Sequence, residues 1–434
     1  MLLFIATASW ADFTPVGAEA EGNAEGTIPR WTGGLAGSHA KHGTLADLFP
    51  GDRPEFFITS ENFRSYADHL AAGHQALLTK YADYAMPVYA TRRTVSFPDN
   101  VYRAIAENAQ RARLKGVDAI EGAQLGIPFP RPNSGVELLW NHRLRYRGDS
   151  AKWRYARSVV HPDGSRQNSE AIEHDLFGYA NANRPLDLAR DNRHSSAFIY
   201  LRPATGAYRD ISVLWRERVN EFSKEREIWT YGTELTRVYR NPPIGDDDVG
   251  MFSEFIRYWD MMDMFNGGFF RYGFKLLGKR EIYVPYNSYR LNDGRYKNAD
   301  LLQARHFNQV APRYELHRVW IVEANLRSGE HHSISRRVFY IDEDSWSILL
   351  VDCYDSQGAL SRFQEGHLLP LDQIRAVDYA PTLTYDLADG RYFADRLLSE
   401  TPAPQFNIEG MLETDFSTTG LVAWHDRFAK KALK

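Results

Sequence analysis

The residues best suited to chemistry in this sequence are acidic, and they occur in two short groups. Asp260 and Asp263 are three residues apart in a stretch predicted to be helical, so their carboxylates would share one face and could act as general acid and base. The run Asp342-Glu343-Asp344 offers oxygen ligands that would hold Ca²⁺ weakly. Each group also has a plainer interpretation, because Trp and Met residues around the first pair indicate packing and the acidic run fits a solvated hairpin turn.

Motifs for nucleophilic, phosphate or metal chemistry are absent from the sequence. It contains no G-x-S-x-G, no H-E-x-x-H, no P-loop and no G-x-G-x-x-G. The adjacent His331 and His332 would point to opposite faces of a strand, which does not suit one shared metal ion. Arg336-Arg337 could meet a phosphate or a lipid headgroup, although pairing with a nearby acid is the simpler expectation. The sequence therefore predicts no catalytic residue, no metal site and no cofactor.

Length and composition indicate a β-rich globular protein. The 434 residues suffice for one large domain or two ordinary ones. The net charge is −4 and no basic patch stands out, so nucleic acid is not expected as a partner. Aromatic residues make up 13% of the chain, which suits the half-buried faces of large sheets. The single cysteine, Cys353, excludes an intramolecular disulfide and a cysteine-based metal cluster, and we expect it to be a small buried hydrophobe.

Apolar spacing and end signals predict three helices. One extends from Ser60 to Tyr84, with Ser60 as its possible N-cap. The second extends from Asp99 to Lys115 and ends before Gly116. The third extends from Asp246 to Phe265, and its three leading aspartates suit the positive end of a helix dipole.

Most of the remaining chain predicts β-strands. Outside the region richest in hairpins, the predicted strands are Leu138 to Tyr146, Trp153 to Val160, Ala197 to Arg202, Asp210 to Val219, Glu227 to Arg240, Phe269 to Leu276, Glu281 to Tyr286 and, as a strand or an extended segment, Gln373 to Leu387. From Glu315 to Leu360, short β-branched and aromatic runs alternate with polar turns, which is typical of an antiparallel meander. We therefore expect one β-rich domain with helices inserted or packed at its sides.

One face of the hairpin region is a candidate for ligand binding. Trp320, Val322 and Leu326 share a face of their strand, and Phe339 and Ile341 are candidates for the same side of the neighbouring strand. If the sheet curls, that face becomes a cavity for a hydrophobic ligand. Plain core packing is the alternative for each of the five residues.

The N-terminal residues suggest export. Residues 1–11 are apolar and end in a small-x-small cleavage pattern, but no Lys or Arg precedes Arg30, so we interpret them as a truncated signal peptide. A buried or frayed chain end is the alternative. Residues 12–37 are rich in Gly and predict an extended, irregular lead-in. Residues 38–434 then form a single large β-rich domain.

Several segments, in order along the chain, resemble the family known as domain of unknown function 1329. These segments are Thr14–Glu19, Gly22–Ala24, Gly26–Pro29, Trp31–Gly34, Gly278–Asn287, Glu315–Trp320, Val322–Ala324 and Arg336–Trp346. The resemblance implies secreted Gram-negative proteins, often labelled outer-membrane lipoprotein-sorting proteins and related in fold to the LolA and LolB carriers. The implied fold is α+β and β-rich, a curled antiparallel sheet forming an incomplete barrel, with packed helices and a hydrophobic cavity between them.

The resemblance also implies a location and partners. It places the protein in the periplasm or on the periplasmic side of the outer membrane, with an outer-membrane protein and an RND-type exporter as candidate partners. The leading interpretation is a non-enzymatic carrier or chaperone for a lipid, a lipoprotein acyl chain or another hydrophobic molecule. The alternative is a scaffold of an outer-membrane or exporter assembly without a small ligand, and a hydrolase is a third interpretation.

Overall fold

One large β-sheet dominates the structure, a computed structural model that describes residues 12–35, 45–181, 186, 188, 193–203, 210–220 and 226–432. Its strands are β1 (Phe56–Ile58), β2 (Met86–Val88), β5 (Ser150–Val160), β6 (Arg166–Leu176), β7 (Arg193–Pro203), β8 (Ile211–Arg218), β9 (Glu227–Gly232), β10 (Tyr239–Arg240), β11 (Tyr272–Pro285), β12 (Tyr314–Leu326), β13 (Arg336–Asp342), β14 (Ile348–Tyr354), β15 (Leu360–Leu371), β16 (Ala376–Asp386), β17 (Tyr392–Leu397) and β18 (Gln405–Phe406). A separate short hairpin consists of β3 (Arg113–Leu114) and β4 (Ile120–Glu121).

Helices are fewer and shorter. They are α1 (Ala72–Lys80), α2 (Asp99–Arg111), α3 (Gly135–Leu144), α4 (Asn298–Leu301) and α5 (Thr418–Ala432). Single 3₁₀ segments lie at Phe63–His69, Gly178–Ala180, Trp259–Met261, Phe269–Arg271, Tyr289–Leu291, Asp372–Ile374 and Glu413–Asp415. Over the described ranges, none of the helices has the length and apolar character needed to cross a membrane.

The large sheet is built from two meanders that meet at one seam. Strands β11 to β17 pair with their chain neighbours, and so do strands β5 to β10. The seam is the antiparallel pairing of β17 with β5, in which Tyr392 faces Val160 and Leu397 faces Ala156. The sheet curls but does not close into a barrel. The prediction of a β-rich α+β fold with a curled antiparallel sheet and packed helices is confirmed.

The hydrophobic core lies on both faces of the hairpin region. Val322 pairs with Phe339 across β12 and β13, and both side chains have no exposed surface. Helix α3 packs on β11 and β12, whereas α1 packs on β14 and β15. A second core lies beneath α5, where Trp424 and Leu421 meet Phe198 and Leu214 of the other meander. Strands buried on both faces explain the near-continuous apolar runs in this part of the sequence.

The prediction of a strand from Leu138 to Tyr146 is wrong, because this segment forms α3. The Ser134 side chain accepts a hydrogen bond from the Glu137 backbone N–H and so caps the helix. The helix is buried almost all round, so its apolar residues show no one-sided spacing. A short apolar run without such spacing cannot be told from a buried strand by pattern alone.

The three helix predictions have different outcomes. Ser60 to Tyr84 is divided into the 3₁₀ segment Phe63–His69 and helix α1. Asp246 to Phe265 is irregular apart from Trp259–Met261, so the predicted helix there is wrong. Left-handed φ angles at residues such as Phe252, Glu254 and Phe255 are incompatible with a continuous helix. The predicted helix from Asp99 is confirmed, although it ends at Arg111.

Candidate functional site

A cavity lies between the β5–β10 meander and an irregular segment that we call the cover segment, residues 249–268. The cavity has a volume of about 110 Å³, counted as space for the centres of water-sized spheres. Its floor comes from β5 to β8, and one side comes from β16 and β17 at the seam. A water molecule needs roughly 10–15 Å³ on this measure, so the cavity holds several waters or one small polar group.

One wall of the cavity is apolar. The residues of this wall are Phe177, Ile199, Leu201, Trp215, Met251, Trp259 and Met262. The rings of Trp215 and Trp259 meet edge to face, with centroids 5.6 Å apart, so the sheet and the cover segment are in direct aromatic contact. Methionine side chains adapt their shape to irregular neighbours, which suits a wall that receives a variable apolar group.

The opposite wall is a network of arginines and carboxylates. Asp395 accepts hydrogen bonds from Arg157 at 3.0 Å and from Arg257 at 2.5 Å. Burial alone would raise the pKa of Asp395, but the two guanidinium groups lower it to about 2. Arg396 lies 3.6 Å from Glu173 and also pairs with Asp378. These buried charges are compensated, as charges in an interior must be.

Asp263 anchors the cover segment to the same network. It accepts hydrogen bonds from Arg145 and lies 3.5 Å from Arg147. Burial opposes ionisation, yet these two arginines hold the pKa of Asp263 well below its usual range. The backbone φ of Asp263 is +50°, a left-handed value that is unusual for a residue with a side chain. The ion pairs thus hold the cover segment over the cavity in a strained conformation.

Three polar groups in the lining have no hydrogen-bond partner within the described residues. They are Asp175 Oδ2, the indole N–H of Trp215 and the Nε–H of Arg257. Burial and the neighbouring Glu173 raise the pKa of the Asp175 carboxyl group well above its usual range. Of the three, the indole N–H of Trp215 and the Nε–H of Arg257 are hydrogen-bond donors. Buried donors without partners are rare in folded proteins, and here both belong to residues that line one cavity.

The five residues predicted to line a ligand site lie elsewhere. Val322, Phe339 and Ile341 are fully buried, while Trp320 and Leu326 are partly buried against the main core. None of the five lies in the cavity lining. Their role in ligand binding stays a prediction.

Packing explains the position of this face of the sheet. A Cβ atom placed on Gly135 of α3 would approach Val322 Cγ1 to 2.9 Å, so the helix backbone rests directly on this strand. The Phe339 ring lies 5.0 Å from that of Phe265 in the cover segment. The Trp320 ring receives the Lys279 ammonium group at 4.6 Å from its centroid.

The two acidic groups in the sequence turn out to be structural. Asp260 and Asp263 do not share a helix face, and Asp260 forms a buried ion pair with Arg337 at 2.6 Å. The prediction that an arginine of the Arg336-Arg337 pair meets an acid is therefore confirmed. The interpretation of Asp342-Glu343-Asp344 as a solvated turn is wrong, because all three side chains are buried. Cys353 is a buried free cysteine, as predicted, and burial raises its thiol pKa to about 12.

The sequence contains a weak signal for the cavity that sequence reasoning missed. Charged and aromatic residues alternate on the inward face of consecutive strands, as in Tyr155 and Arg157, and in Trp215 and Glu217. A charge at an inward strand position predicts either a buried ion pair or a polar site. The partner of Arg157 is Asp395, 238 residues later in the chain, and local pattern cannot specify that pairing.

Comparisons with known proteins place the chain in a family context. The family model described as "Protein of unknown function (DUF1329)" matches residues 57–433. An uncharacterized protein of Pseudomonas aeruginosa, PA3922, is 37% identical over 417 residues, which cover 94% of this chain and 90% of that protein.

Two solved structures show weaker similarity. One is a DUF1329 family protein from Desulfovibrio piger, with 12% identity, a TM-score of 0.41, and coverage of 63% of this chain and 92% of that chain. The other is the LolA superfamily protein NE2245 from Nitrosomonas europaea, with 10% identity, a TM-score of 0.37, and coverage of 66% and 98% respectively. These similarities are too distant to assign a ligand or an activity.

Proposed function

Because the chain belongs to the DUF1329 family, whose description assigns no function, we propose its role from its own structure: a non-enzymatic carrier for an amphipathic molecule. The family resemblance predicted from the sequence is confirmed by the family model and by the 37% identical relative. The observation that carries the proposal is the cavity beneath the cover segment, which combines an apolar wall with two lining residues whose buried N–H groups lack hydrogen-bond partners among the described residues.

The donors define the polar end of the ligand. Trp215 and Arg257 line the cavity and each has a buried N–H group without a hydrogen-bond partner among the described residues, so we propose a ligand with oxygen acceptors, such as those of an ester, an amide or a carboxylate. The aromatic and methionine wall then receives an apolar part of the same molecule. An acylated lipid or the acyl end of a lipoprotein has both features. Apolar contacts discriminate poorly between one acyl chain and another, so selectivity would come from the polar end of the ligand.

A ligand with a long acyl chain requires the cover segment to move. The present cavity admits only a small group, and the rings of Trp215 and Trp259, which both line it, are in direct contact. The cover segment has left-handed φ angles at five non-glycine residues, Phe252, Glu254, Phe255, Asp263 and Met264. Conformations of this kind cluster in ligand clamps and switch regions. We therefore place ligand entry at the cover segment.

A periplasmic location and a partner in the outer membrane are part of the same proposal. The carrier interpretation needs a donor and an acceptor of the hydrophobic cargo, and the resemblance implies an outer-membrane protein and an RND-type exporter. The scaffold interpretation differs in needing no small ligand. Purification of the protein from a Gram-negative periplasm, followed by native mass spectrometry, distinguishes them, because a carrier retains a small amphipathic adduct.

A substitution that fills the cavity tests the site. Thr382 lines the cavity and is half-buried, so Thr382→Phe places a ring in the ligand space. We expect the adduct to disappear and binding of a fluorescent fatty acid to weaken at least tenfold. Gln167→Phe is the control, because Gln167 is also half-buried on a strand but lies outside the lining. Equal probe binding by both variants, or no adduct on the unmodified protein, would favour the scaffold interpretation.

A further inference from the structure

The N-terminal lead-in forms a strap over the turn between β13 and β14. Backbone carbonyls of the strap accept hydrogen bonds from this turn and from the segment after β2: Val16 O from Trp346 Nε1 at 3.1 Å, and Glu19 O from Arg93 at 2.7 Å. In return, the Glu19 backbone N–H donates to Glu343 Oε2 at 3.3 Å. The strap therefore seals a group of ionisable residues from solvent, and that group is separate from the cavity beneath the cover segment.

Nearly every carboxylate under the strap has a cationic partner. Glu343 pairs with Lys279 at 2.7 Å and with Arg318 at 2.8 Å. Asp344 accepts two hydrogen bonds from Arg93, at 2.7 and 2.9 Å. On the adjoining strand, Glu315 pairs with Arg313. Such pairing compensates the cost of removing these charges from water.

Asp342 is the exception among the described residues. It forms no ion pair with any Lys or Arg there, although its side chain has no exposed surface. Its Oδ2 accepts hydrogen bonds from the Ser345 hydroxyl at 2.6 Å, the Ser345 backbone N–H at 2.9 Å and the Tyr286 hydroxyl at 3.1 Å. Its Oδ1 is buried and has no hydrogen-bond partner. A buried oxygen of this kind needs a cation or a proton beside it.

His317 completes the group. One ligand atom from each of His317, Asp342 and Asp344 lies within 4.8 Å of the other two, and all three residues are buried. The His317 ring stacks on Tyr286, with centroids 3.8 Å apart, and its Nε2 lies 3.1 Å from Glu315 Oε2. A carboxylate that holds one nitrogen of a histidine fixes the ring and leaves the other nitrogen as an electron-pair donor.

We propose that His317, Asp342 and Asp344 bind a divalent transition-metal cation of the Zn²⁺ class beneath the N-terminal strap. One imidazole and two carboxylates form a nitrogen–oxygen ligand set that suits Zn²⁺, whereas Ca²⁺ takes six to eight oxygen ligands. Ligands about 2.0–2.2 Å from Zn²⁺ lie about 3.4 Å apart, so a small inward movement of the three side chains completes the site.

The metal has a structural role in this proposal. It neutralises the carboxylate that lacks a cationic partner, and it joins β12 to the turn on which the strap rests. The nearest guanidinium group, that of Arg93, already pairs with Asp344 and lowers the affinity by repulsion, so binding should be moderate. Asp344 retains acceptor sites for the metal, because a carboxylate has about four lone-pair positions.

The test uses the full chain, stripped with a chelator and dialysed. Titration with ZnCl₂, followed by calorimetry and elemental analysis, should show one bound equivalent of moderate affinity that raises the melting temperature. X-ray absorption should show imidazole and oxygen ligands without sulfur. Asp342→Asn preserves size and an acceptor for Ser345, and we expect it to weaken Zn²⁺ binding at least 100-fold while the metal-free variant still folds by circular dichroism. His317→Gln should act in the same direction.

His332→Gln is the matched control, because His332 is also buried beside an aspartate, Asp260, but lies outside the group. It should leave the bound equivalent unchanged. The proposal is overturned if the unmodified protein binds no Zn²⁺, or if Asp342→Asn binds it as well as the unmodified protein does. Either result would mean that no metal ion compensates the Asp342 carboxylate.

Discussion

At the scale of single residues, the interior is organised by pairing charges across long sequence distances. Arg157 and Arg257 converge on Asp395, and Arg337 meets Asp260 at full burial. Removing one partner of such a pair leaves an uncompensated buried charge, which costs about 3–5 kcal/mol. A buried histidine can also lie in the interior without such a partner, since its ring can remain neutral. His367 is fully buried, and neither of its ring nitrogens has a hydrogen-bond partner among the described residues.

His367 should make the protein sensitive to acid. Burial lowers the pKa of His367 from 6.5 to about 4; the nearby Glu365 opposes this shift and His74 adds to it. Between pH 6.5 and 4, the unfolded chain binds a proton here that the folded protein does not, so stability falls as the pH falls, by up to about 3 kcal/mol. The His367→Phe variant cannot take up this proton. Between pH 7 and pH 4.5, it should therefore lose about 2–3 kcal/mol less unfolding free energy than the unmodified protein does.

Urea denaturation at the two pH values measures this difference. His331→Phe is the control, because His331 is exposed and its variant should lose as much stability on acidification as the unmodified protein. If His367→Phe instead loses as much stability on acidification as the unmodified protein, His367 is protonated in the folded state.

At the scale of elements, close contact between helices and strands decides which residues are tolerated. Gly73 lies in α1, and a Cβ atom placed there would approach the Phe363 ring of β15 to 2.0 Å. The Gly73 backbone N–H also donates to Asp352 Oδ1 at 2.8 Å, which fixes the helix against β14. The helix therefore has no freedom to retreat from the sheet.

This contact reverses the usual effect of removing a helical glycine. Replacement of glycine by alanine inside a helix ordinarily stabilises it by about 1 kcal/mol. For Gly73→Ala we expect a net destabilisation of about 1–3 kcal/mol, because the added methyl group overpacks the contact with Phe363. Thr79→Ala, at an exposed position of the same helix, should keep or slightly raise the melting temperature. A higher melting temperature for Gly73→Ala would show that α1 can shift away from the sheet.

The sequence predicts these elements unevenly, for identifiable reasons. Strands of the hairpin region were predictable because β-branched runs alternate with turn residues, as at Arg337 to Ile341. Helix α3 was not predicted because it is buried almost all round and its apolar residues show no one-sided spacing, although Ser134 followed by Glu137 fits a helix start. The segment from Asp246 was misleading, since its aspartates serve ion pairs such as Asp246–Arg271 at 3.1 Å rather than a helix dipole.

The candidate site was less accessible to sequence reasoning than the fold. Its lining joins strands β5 to β8 with β16, β17 and the cover segment, and the pairs that hold it together are set by the tertiary structure. Apolar identity at Val322 or Phe339 does not separate a core from a cavity, because both environments favour the same residues. Charged residues at inward strand positions, such as Glu173 and Asp175, are the more specific guide.

At the scale of the whole molecule, the seam between β17 and β5 joins two meanders into one sheet. The β11–β17 meander packs on α1 and α3, whereas the β5–β10 meander packs on α5 and forms the floor of the cavity. The seam pairs residues far apart in the chain, such as Ala394 with Ser158, and β17 also pairs with β16 on its other side. If residues 38–434 form a single domain, as the sequence predicts, the two meanders should unfold together.

Breaking the seam should separate the two meanders. Ala394 is fully buried in an internal strand, where proline removes a ladder hydrogen bond and costs about 3 kcal/mol or more. Hydrogen exchange measured by mass spectrometry across a urea series should show one shared midpoint in the unmodified protein. In Ala394→Pro, we expect strands β5–β10 to lose their protection from hydrogen exchange at a lower urea concentration than strands β11–β16. The reason is that the core of the β5–β10 meander beneath α5 is small.

Tyr239→Pro is the control, because it lies on the terminal strand β10, and it should leave a single midpoint. Two separate midpoints in the unmodified protein would instead show that each meander is a domain of its own.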